Sequence, residues 1–263
     1  YTKRYAKCSK KDEKWRLVWA FGRLIREVQP DIVSMENVAE LEGYPVFNKF
    51  VKILEREDYY IWYSVVACSD YGVPQMRKRL VLLASKFGQI DLDPKTRRRP
   101  KTVNQTIGAL PVLRAGERDP RDPIHRASGM SELNLRRIRI TPEGGTWKDW
   151  PQELILDCHK RETGRGYGSV YGRMRWDGLA PTITTEFHGI GNGRFGHPEQ
   201  DRAISLREGA LFQTFPRSYK FVKSGDNYTI DTIAKHVGNA IPVMLGQAIA
   251  RSIKKHLLDN HLA

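Results

Sequence analysis

The alternation of helical and strand-like segments over the first ninety residues is the strongest constraint on the fold. Apolar side chains recur at helical spacing in Asp12–Gln29 and Pro45–Arg56. Short apolar runs with the length of strands occupy Asp31–Met35, Tyr59–Ala67 and Leu80–Ala84. The β-branched run that begins at Asp31 is typical of a strand buried on both faces. The sequence therefore predicts an α/β sheet whose strand ends carry ligand-binding loops.

This alternation stops at Asp91-Leu92-Asp93-Pro94 and does not resume before about Tyr228. The intervening sequence is rich in Gly, Pro and Arg, with candidate elements at 168–174 and 181–187 (strands) and at 206–213 (a short helix). An apolar helix at 241–257, reached through Ile233–Val237 and Gly238-Asn239, is expected to pack back on the first sheet. The sequence thus predicts one domain made of residues 1–92 and 233–263, and an inserted, loop-rich domain of residues 93–232.

The charge distribution favours a polyanionic partner. The formal net charge is +14 and the isoelectric point is about 9.7. Residues 95–139 contain twelve Lys and Arg against four Asp and Glu. A domain this basic commonly binds nucleic acid, ahead of a membrane surface. A merely well-solvated basic surface is the alternative.

The cysteines and the apolar segments indicate the compartment. Three cysteines without metal-ligand spacing favour a reducing environment and predict no disulfide framework and no metal site. No stretch approaches the roughly 20 apolar residues of a transmembrane helix. The first seven residues lack the apolar centre of a signal peptide. We therefore expect a soluble, cytoplasmic protein with no membrane partner.

Two strings place chemistry at the ends of predicted strands. Glu36 lies in Ser34-Met35-Glu36-Asn37-Val38, and Gln75, Arg77 and Arg79 precede the third strand. A carboxyl group can protonate or hydrogen-bond a ring nitrogen, while an arginine holds an exocyclic oxygen or a phosphate. Arg77 and Arg79, two residues apart, would share one face of an extended segment. The alternatives are a helix cap or ion pair for the glutamate and a solvated charge run for the arginines.

Further strings extend this pattern over most of the chain: Gly172–Asp177, Ala180–Thr185, His197–Arg202, Leu206–Glu208 and Gly238–Pro242. Together with the Glu-Asn-Val and Gln-x-Arg-x-Arg strings, and in the same order, they resemble the motifs of the DNA (cytosine-5)-methyltransferases. The resemblance implies a Rossmann-like methyltransferase sheet, incomplete in this chain, with an inserted target-recognition domain.

The resemblance also implies roles for the first group of residues. Glu36 would contact N3 and the exocyclic amine of the target cytosine, and for that work it must hold or share a proton at neutral pH. Asn37 would support the nucleophile loop. Arg79 would lie near the carbonyl oxygen of the base and the thiol, and Arg77 nearer to backbone or phosphate.

For the second half of the chain the resemblance leaves alternatives open. Arg173 and Arg175 would contact DNA phosphates or pair with acidic residues, and Thr182 and Thr184 would donate hydroxyls to the DNA backbone.

The Gly-Asn-Ala string at residues 238–240 also has two interpretations. Asn239 and Ala240 would contact S-adenosylmethionine, although an N-cap of the final helix explains Asn239 nearly as well.

Two family motifs do not occur in this sequence, the glycine-rich cofactor loop and the Pro-Cys-Gln motif with the nucleophile. None of Cys8, Cys68 and Cys158 follows a proline, and the nucleophile's role is assigned to none of them. Since the chain starts at Tyr1, we expect it to begin just after the nucleophile loop. A missing segment or a complementary subunit would then carry the thiol, and the complete protein would be a monomer.

The implied reaction is methyl transfer from S-adenosyl-L-methionine to C5 of cytosine in a specific duplex DNA sequence, with the base flipped out of the helix. The setting would be the bacterial nucleoid. Two alternatives remain: a non-catalytic DNA-binding subunit or inactive fragment of a split enzyme, and a family branch that acts on transfer RNA.

Overall fold

The computed structural model describes residues 14–94, 96, 99–223 and 227–260, so Tyr1 and Cys8 lie outside the described part of the chain. The strands are β1 (Ile32–Val38), β2 (Tyr60–Ala67), β3 (Gln75–Met76), β4 (Lys78–Ser85) and β5 (Ala180–Pro181). The α-helices are α1 (Lys14–Val28), α2 (Pro45–Arg56), α3 (Val103–Ile107), α4 (Glu132–Ile140), α5 (Asp157–Lys160), α6 (Glu162–Arg165), α7 (Leu206–Phe212), α8 (Ile230–Asn239) and α9 (Val243–Asp259). Within the described residues, none of these helices is long and apolar enough to cross a bilayer.

The chain forms two compact units. The first consists of residues 1–67, 78–94 and 247–263, and the second of residues 68–77 and 95–246. The first unit thus draws on both ends of the chain. Residues 233–246, which the sequence groups with the first domain, belong to the second unit. That residues 93–232 read DNA stays a prediction.

The first unit is built on a three-stranded sheet in the order β1-β4-β2, with both pairings antiparallel. The predicted helices and strands up to Ala84 are confirmed. Burial of β1 on both faces is wrong: Val33 and Met35 are buried but Ser34 is exposed. Among the described residues β1 pairs with β4 alone, and its side chains alternate between a core face and an open one.

One face of this sheet carries the core of the first unit. Val18 and Ile25 of α1 and Phe47, Phe50 and Leu54 of α2 pack against alternate residues of the strands. On β4 these residues are Leu80, Leu82 and Ala84. Burying each such side chain is worth about 1.5–3 kcal/mol, which explains why the helical spacing alone located both helices.

The final helix is also attached to this sheet. The Ser85 Oγ atom of β4 lies 2.7 Å from His256 Nε2 of α9. Ser252 Oγ of α9 accepts the Asp93 N–H at 2.7 Å. The prediction that the last apolar helix packs back on the first sheet is confirmed.

The second unit has little regular structure. Its core gathers Phe187, Phe195, Ile204, Phe212 and Val237. The predicted helix at 206–213 is confirmed as α7, but the predicted strands at 168–174 and 181–187 are wrong. Only the two-residue pair β3–β5 and isolated bridges occur in the described part of those regions. Arginine side chains, rather than a strand ladder, bind many of the carbonyl groups there.

Arg173 is the clearest of these arginines. It is 4% exposed, and its guanidinium donates to the carbonyl oxygens of four residues and to the Asp201 carboxylate. The four carbonyls belong to Ile138, Thr141, His197 and Gln200. A guanidinium has five N–H groups, and these five bonds use all of them. The geometry matches pairing with an acidic residue, the second of the two accounts that the sequence left open, and leaves no donor for a phosphate.

A buried ion pair lies next to this arginine. Arg202 is fully buried and donates to both carboxylate oxygens of Glu208, at 2.7 and 2.8 Å. Burial alone would raise the pKa of Glu208, but the charge and hydrogen bonds of Arg202 lower it to about 2. Glu208 also accepts the Ser205 N–H at 2.6 Å and so closes the capping box of α7.

His197 completes the network as a neutral base. Its Nδ1 accepts the N–H groups of Glu199 at 3.2 Å and Gln200 at 2.9 Å, which requires an unprotonated nitrogen. Burial lowers the pKa of His197 to about 4, against the attraction of Glu208.

We expect this histidine to make the protein sensitive to acid. Between pH 6.5 and 4 the unfolded chain binds a proton that native His197 does not. The free energy of unfolding therefore decreases as the pH is lowered, by about 3 kcal/mol over this range. Urea unfolding at several pH values measures this slope. His197→Asn keeps an acceptor at the Nδ1 position and should flatten it, whereas His236→Asn, at an exposed site, should not. Equal slopes in wild type and His197→Asn would refute the assignment.

Candidate active site

Glu36 and Arg79 form an ion pair on the face of the first unit's sheet that lies opposite α1 and α2. Val38 lies opposite Arg79 in the β1–β4 register, and Glu36 lies opposite Val81. Residues two apart share a face, so Glu36 is the diagonal neighbour of Arg79, on the side away from α1 and α2. Arg79 Nε lies 2.8 Å from Glu36 Oε1, and the two side chains are 14% and 12% exposed.

This pair can both hold a base in a fixed orientation and exchange a proton with it. The arginine also donates from Nη1 to the Lys78 carbonyl at 2.7 Å, which fixes the plane of its guanidinium. A held carboxyl can exchange a proton with a ring nitrogen, and a held guanidinium can bind an exocyclic oxygen. An ion pair with Arg79 therefore does not exclude a role of Glu36 in handling a base.

Asn37 belongs to the other face of β1. It pairs in register with Leu80, and its Oδ1 accepts the Val38 N–H at 2.8 Å. This bond fixes the end of the strand that carries Glu36.

Gln75 and Arg77 lie in the second unit and bind main-chain groups. Gln75 is fully buried, donates to the Phe212 carbonyl at 2.8 Å and accepts the Ile183 N–H at 3.0 Å. Arg77 is 4% exposed and donates to the Ile183 carbonyl at 2.7 Å and the Gly238 carbonyl at 3.2 Å. Arg77 lies between β3 and β4, in neither strand, and its partners differ from those of Arg79.

Gln213 is a residue of this network that the sequence reasoning missed. It is fully buried, shares a 2.7 Å hydrogen bond with Gln75, and donates to the carbonyls of Val237 at 2.7 Å and Ala240 at 3.0 Å. The available signal was an amide side chain directly after the apolar helix α7. Together with Gln75 and Arg77 it joins three motif strings of the second unit.

The Gly-Asn-Ala string closes α8. Asn239 is the last residue of this helix, and the Ala240 N–H bonds to the His236 carbonyl at 3.1 Å. The prediction that Asn239 caps the final helix is wrong, because α9 begins only at Val243, after Pro242. A Cβ on Gly238 would lie 2.4 Å from the Thr184 main chain, so only glycine allows this contact.

The other residues expected to contact DNA differ in whether their side-chain donors already bind a protein group. Arg175 is exposed and pairs with Asp177 at 3.0 Å, a contact that lowers the pKa of the aspartate through its hydrogen bond. Thr182 donates its hydroxyl to the Met76 carbonyl at 2.6 Å. The Thr184 hydroxyl accepts the Glu186 N–H at 3.3 Å and keeps its own hydrogen available.

The two described cysteines differ in exposure. Cys68 is fully buried, and Cys158 is exposed in the short helix α5. In the described part of the chain, no group of three or more His, Cys, Asp or Glu side chains could hold a metal ion.

Comparison with known proteins relates this arrangement to one family. The model of the C-5 cytosine-specific DNA methylase family matches residues 4–255. The type II methylase M.HgiDII of Herpetosiphon aurantiacus is 53% identical over 262 residues, covering 98% of this chain and 74% of the relative. The type II methyltransferase M1.BsuMI of Bacillus subtilis is 34% identical, over 92% of this chain and 55% of the relative. The chain thus spans three quarters of one relative and little more than half of the other.

Solved structures agree on the fold. A prophage-encoded protein of E. coli, described as a DNA modification methyltransferase, superposes with a TM-score of 0.67 at 20% identity, over 94% of this chain and 75% of that one. The Entamoeba histolytica methyltransferase EhMeth gives a TM-score of 0.52 at 15% identity, over 88% and 63%. At these identities the likeness establishes an α/β methyltransferase fold.

Proposed function

Because the chain belongs to the C-5 cytosine-specific DNA methylase family, whose enzymes methylate C5 of cytosine in DNA with S-adenosyl-L-methionine, we propose that Glu36 and Arg79 hold the target cytosine. The observation that carries this proposal is the 2.8 Å ion pair on the sheet face opposite α1 and α2, with side chains that are 14% and 12% exposed.

The chemistry requires such a pair. C5 of cytosine becomes nucleophilic only after a thiolate adds to C6, since the ring electrons then move toward N3 and C5. Glu36 delivers a proton to N3 and accepts a hydrogen bond from the exocyclic amine, while Arg79 binds the carbonyl oxygen of the base. In the family the thiolate comes from a Pro-Cys-Gln motif, so we assign the addition to none of Cys8, Cys68 and Cys158.

The target carbon is inaccessible inside a duplex, so the proposal includes base flipping, which costs a few kcal/mol. Arg175 and Thr184 are our candidates for phosphate contacts during this step. The exposed pair of Arg175 with Asp177 is worth little in water and can exchange its partner for a phosphate. Arg77, Arg173 and Thr182 instead hold the main chain of the second unit.

The end of α8 fits S-adenosylmethionine. Asn239 is exposed at the carboxyl end of a ten-residue helix, where the helix dipole favours a positive charge. The cofactor carries a sulfonium and an ammonium group, and when bound it supplies an electrophilic methyl. We propose that Asn239 and Ala240 contact it and that Gln213 positions them.

Replacing Gln213 by Leu should weaken cofactor binding about 10-fold. The substitution leaves the Val237 and Ala240 carbonyls without their donor, which loosens the turn and costs about 1–3 kcal/mol. Calorimetric titration of S-adenosylmethionine into the full-length protein measures the dissociation constant. Gln105→Leu, at an exposed capping-box glutamine of α3, is the control. Unchanged cofactor affinity in Gln213→Leu would exclude the positioning role.

The activity of the whole protein is tested by methyl transfer from labelled S-adenosylmethionine to duplex oligonucleotides, with transfer RNA as control substrate. We expect label at C5 of cytosine in the duplex and none in the tRNA. The assay uses both the full-length protein and this polypeptide alone. Activity only after addition of a second polypeptide would favour the complementary subunit over a monomer, and DNA binding without transfer would favour the non-catalytic subunit. Labelling of tRNA would refute the assignment to DNA.

A further inference from the structure

A wide basic cavity lies within the second unit, and its lining includes none of the residues assigned to the base, the cofactor or the phosphates. We call it the basic cavity; its walls are residues 109–111, 118–125, 207, 217–223 and 227–228, and its volume is about 1650 Å³. Small-molecule sites usually measure about 300–1,000 Å³. This cavity is large enough for a segment of a macromolecule.

The charge of its walls is one-sided. Arg118, Arg217 and Lys220 are exposed, and none of them forms an ion pair with another described residue. The acidic residues of the walls are already neutralised: Asp119 accepts from Arg121 at 3.3 Å, and Asp122 from Arg207 at 2.6 Å. What faces an approaching ligand is therefore positive.

The walls are fixed before any ligand arrives. Arg207 is 6% exposed, donates twice to Asp122 and reaches the Tyr219 carbonyl at 3.5 Å, so it joins both sides. The Tyr228 hydroxyl donates to the Pro123 carbonyl. The rings of Phe215, Tyr219 and Phe221 pack with centroids 4.8–5.0 Å apart. Because these contacts already hold the walls, binding of a ligand would order few further side chains and cost little conformational entropy. This favours a preformed binding surface over an ordinary solvated one.

We infer that the basic cavity binds the sugar-phosphate backbone of duplex DNA, outside the base pairs that the enzyme recognises. The repeated negative charge of the backbone complements Arg118, Arg217 and Lys220, and the exposed Tyr219 ring offers an apolar surface to the deoxyribose. Such contacts fix position and register without reading sequence. The inference rests on the proposed action on DNA and names a second contact surface for that substrate.

The test is equilibrium binding of the full-length protein to a 20-base-pair duplex of arbitrary sequence over a range of salt concentrations. Each phosphate contact adds about 0.9 to the slope of log affinity against log salt. The double variant Arg217→Gln/Lys220→Gln should lower that slope by nearly 2 and weaken binding on the order of 10- to 100-fold at 0.1 M salt. Lys254→Gln/Lys255→Gln removes the same charge from exposed positions of the first unit and should leave the slope unchanged.

The outcomes separate the two proposals. A lowered slope in the cavity variant alone supports the backbone site. An unchanged slope, equal losses in both double variants, or binding of poly-glutamate in preference to DNA would overturn it. If the unmodified protein binds no duplex at all, the proposed function fails as well; if it binds and methylates DNA with an unchanged slope in the variant, only the cavity assignment fails.

Discussion

Glu36→Gln in the full-length protein is expected to lower the turnover number for methyl transfer by about 10²- to 10⁴-fold, the range for loss of a positioned proton donor. Glutamine has the shape of glutamate and still reaches Arg79, so the sheet and the DNA affinity should survive. Because the amide cannot deliver a proton to N3, the ring cannot accept the electrons that the addition at C6 releases. The loss should therefore fall on kcat and leave KM for DNA nearly unchanged.

The matched control is Glu40→Gln, which removes one carboxylate from an exposed position four residues later. Its turnover should equal that of the unmodified protein. Thermal melting of both variants verifies that folding is intact. Near-normal turnover of a well-folded Glu36→Gln would mean that this carboxylate does not handle the base.

Glu208→Leu is expected to destabilise the protein by about 3–5 kcal/mol, the largest stability effect that we expect from a single substitution. Arg202 would remain buried, with its charge uncompensated, and α7 would lose its capping box. Urea unfolding monitored by tryptophan fluorescence measures the change. The native pKa of Glu208 is about 2, so its contribution is present above pH 4.5 and is lost as the pH falls towards 2.

A second substitution makes this prediction specific. Replacing both partners, as Arg202→Met/Glu208→Leu, removes the stranded charge and should recover a large part of the lost stability. Asp157→Asn breaks the exposed pair of Asp157 with Lys160 and should leave the unfolding midpoint in place. If the double variant were as unstable as Glu208→Leu, the cost would come from packing and not from the buried charge.

Periodicity predicted the first unit well and the second poorly, for a physical reason. In α1 and α2 the apolar side chains alone determine which face is buried, so their spacing predicts the packing. Around residues 168–187 the chain is held by Arg173 and by other side-chain bonds to carbonyl groups. Such bonds depend on residues far apart in sequence and leave no periodic pattern.

The residues of the candidate site also differ in how far the sequence predicts their contacts. The chemistry of Glu36 and Arg79 was readable from their residue types, and their register in β1 and β4 brings them to 2.8 Å. The different partners of Arg77 were not readable, because an interruption of the strand at one residue cannot be seen in an alternating charge run. Gln213 was missed because a single glutamine carries no local signal of its long-range partners.

The most direct test of the central claim, that Glu36 protonates the target cytosine, is exchange of the C5 hydrogen with solvent. Addition at C6 with protonation at N3 makes C5 basic enough to take up a solvent proton, so tritium at C5 of the target base is released into water. The full-length protein should release tritium from a duplex that contains its target. Glu36→Gln should release it at least 10²-fold more slowly at saturating DNA, and Glu40→Gln at the unmodified rate. Release from Glu36→Gln at the unmodified rate would contradict the account.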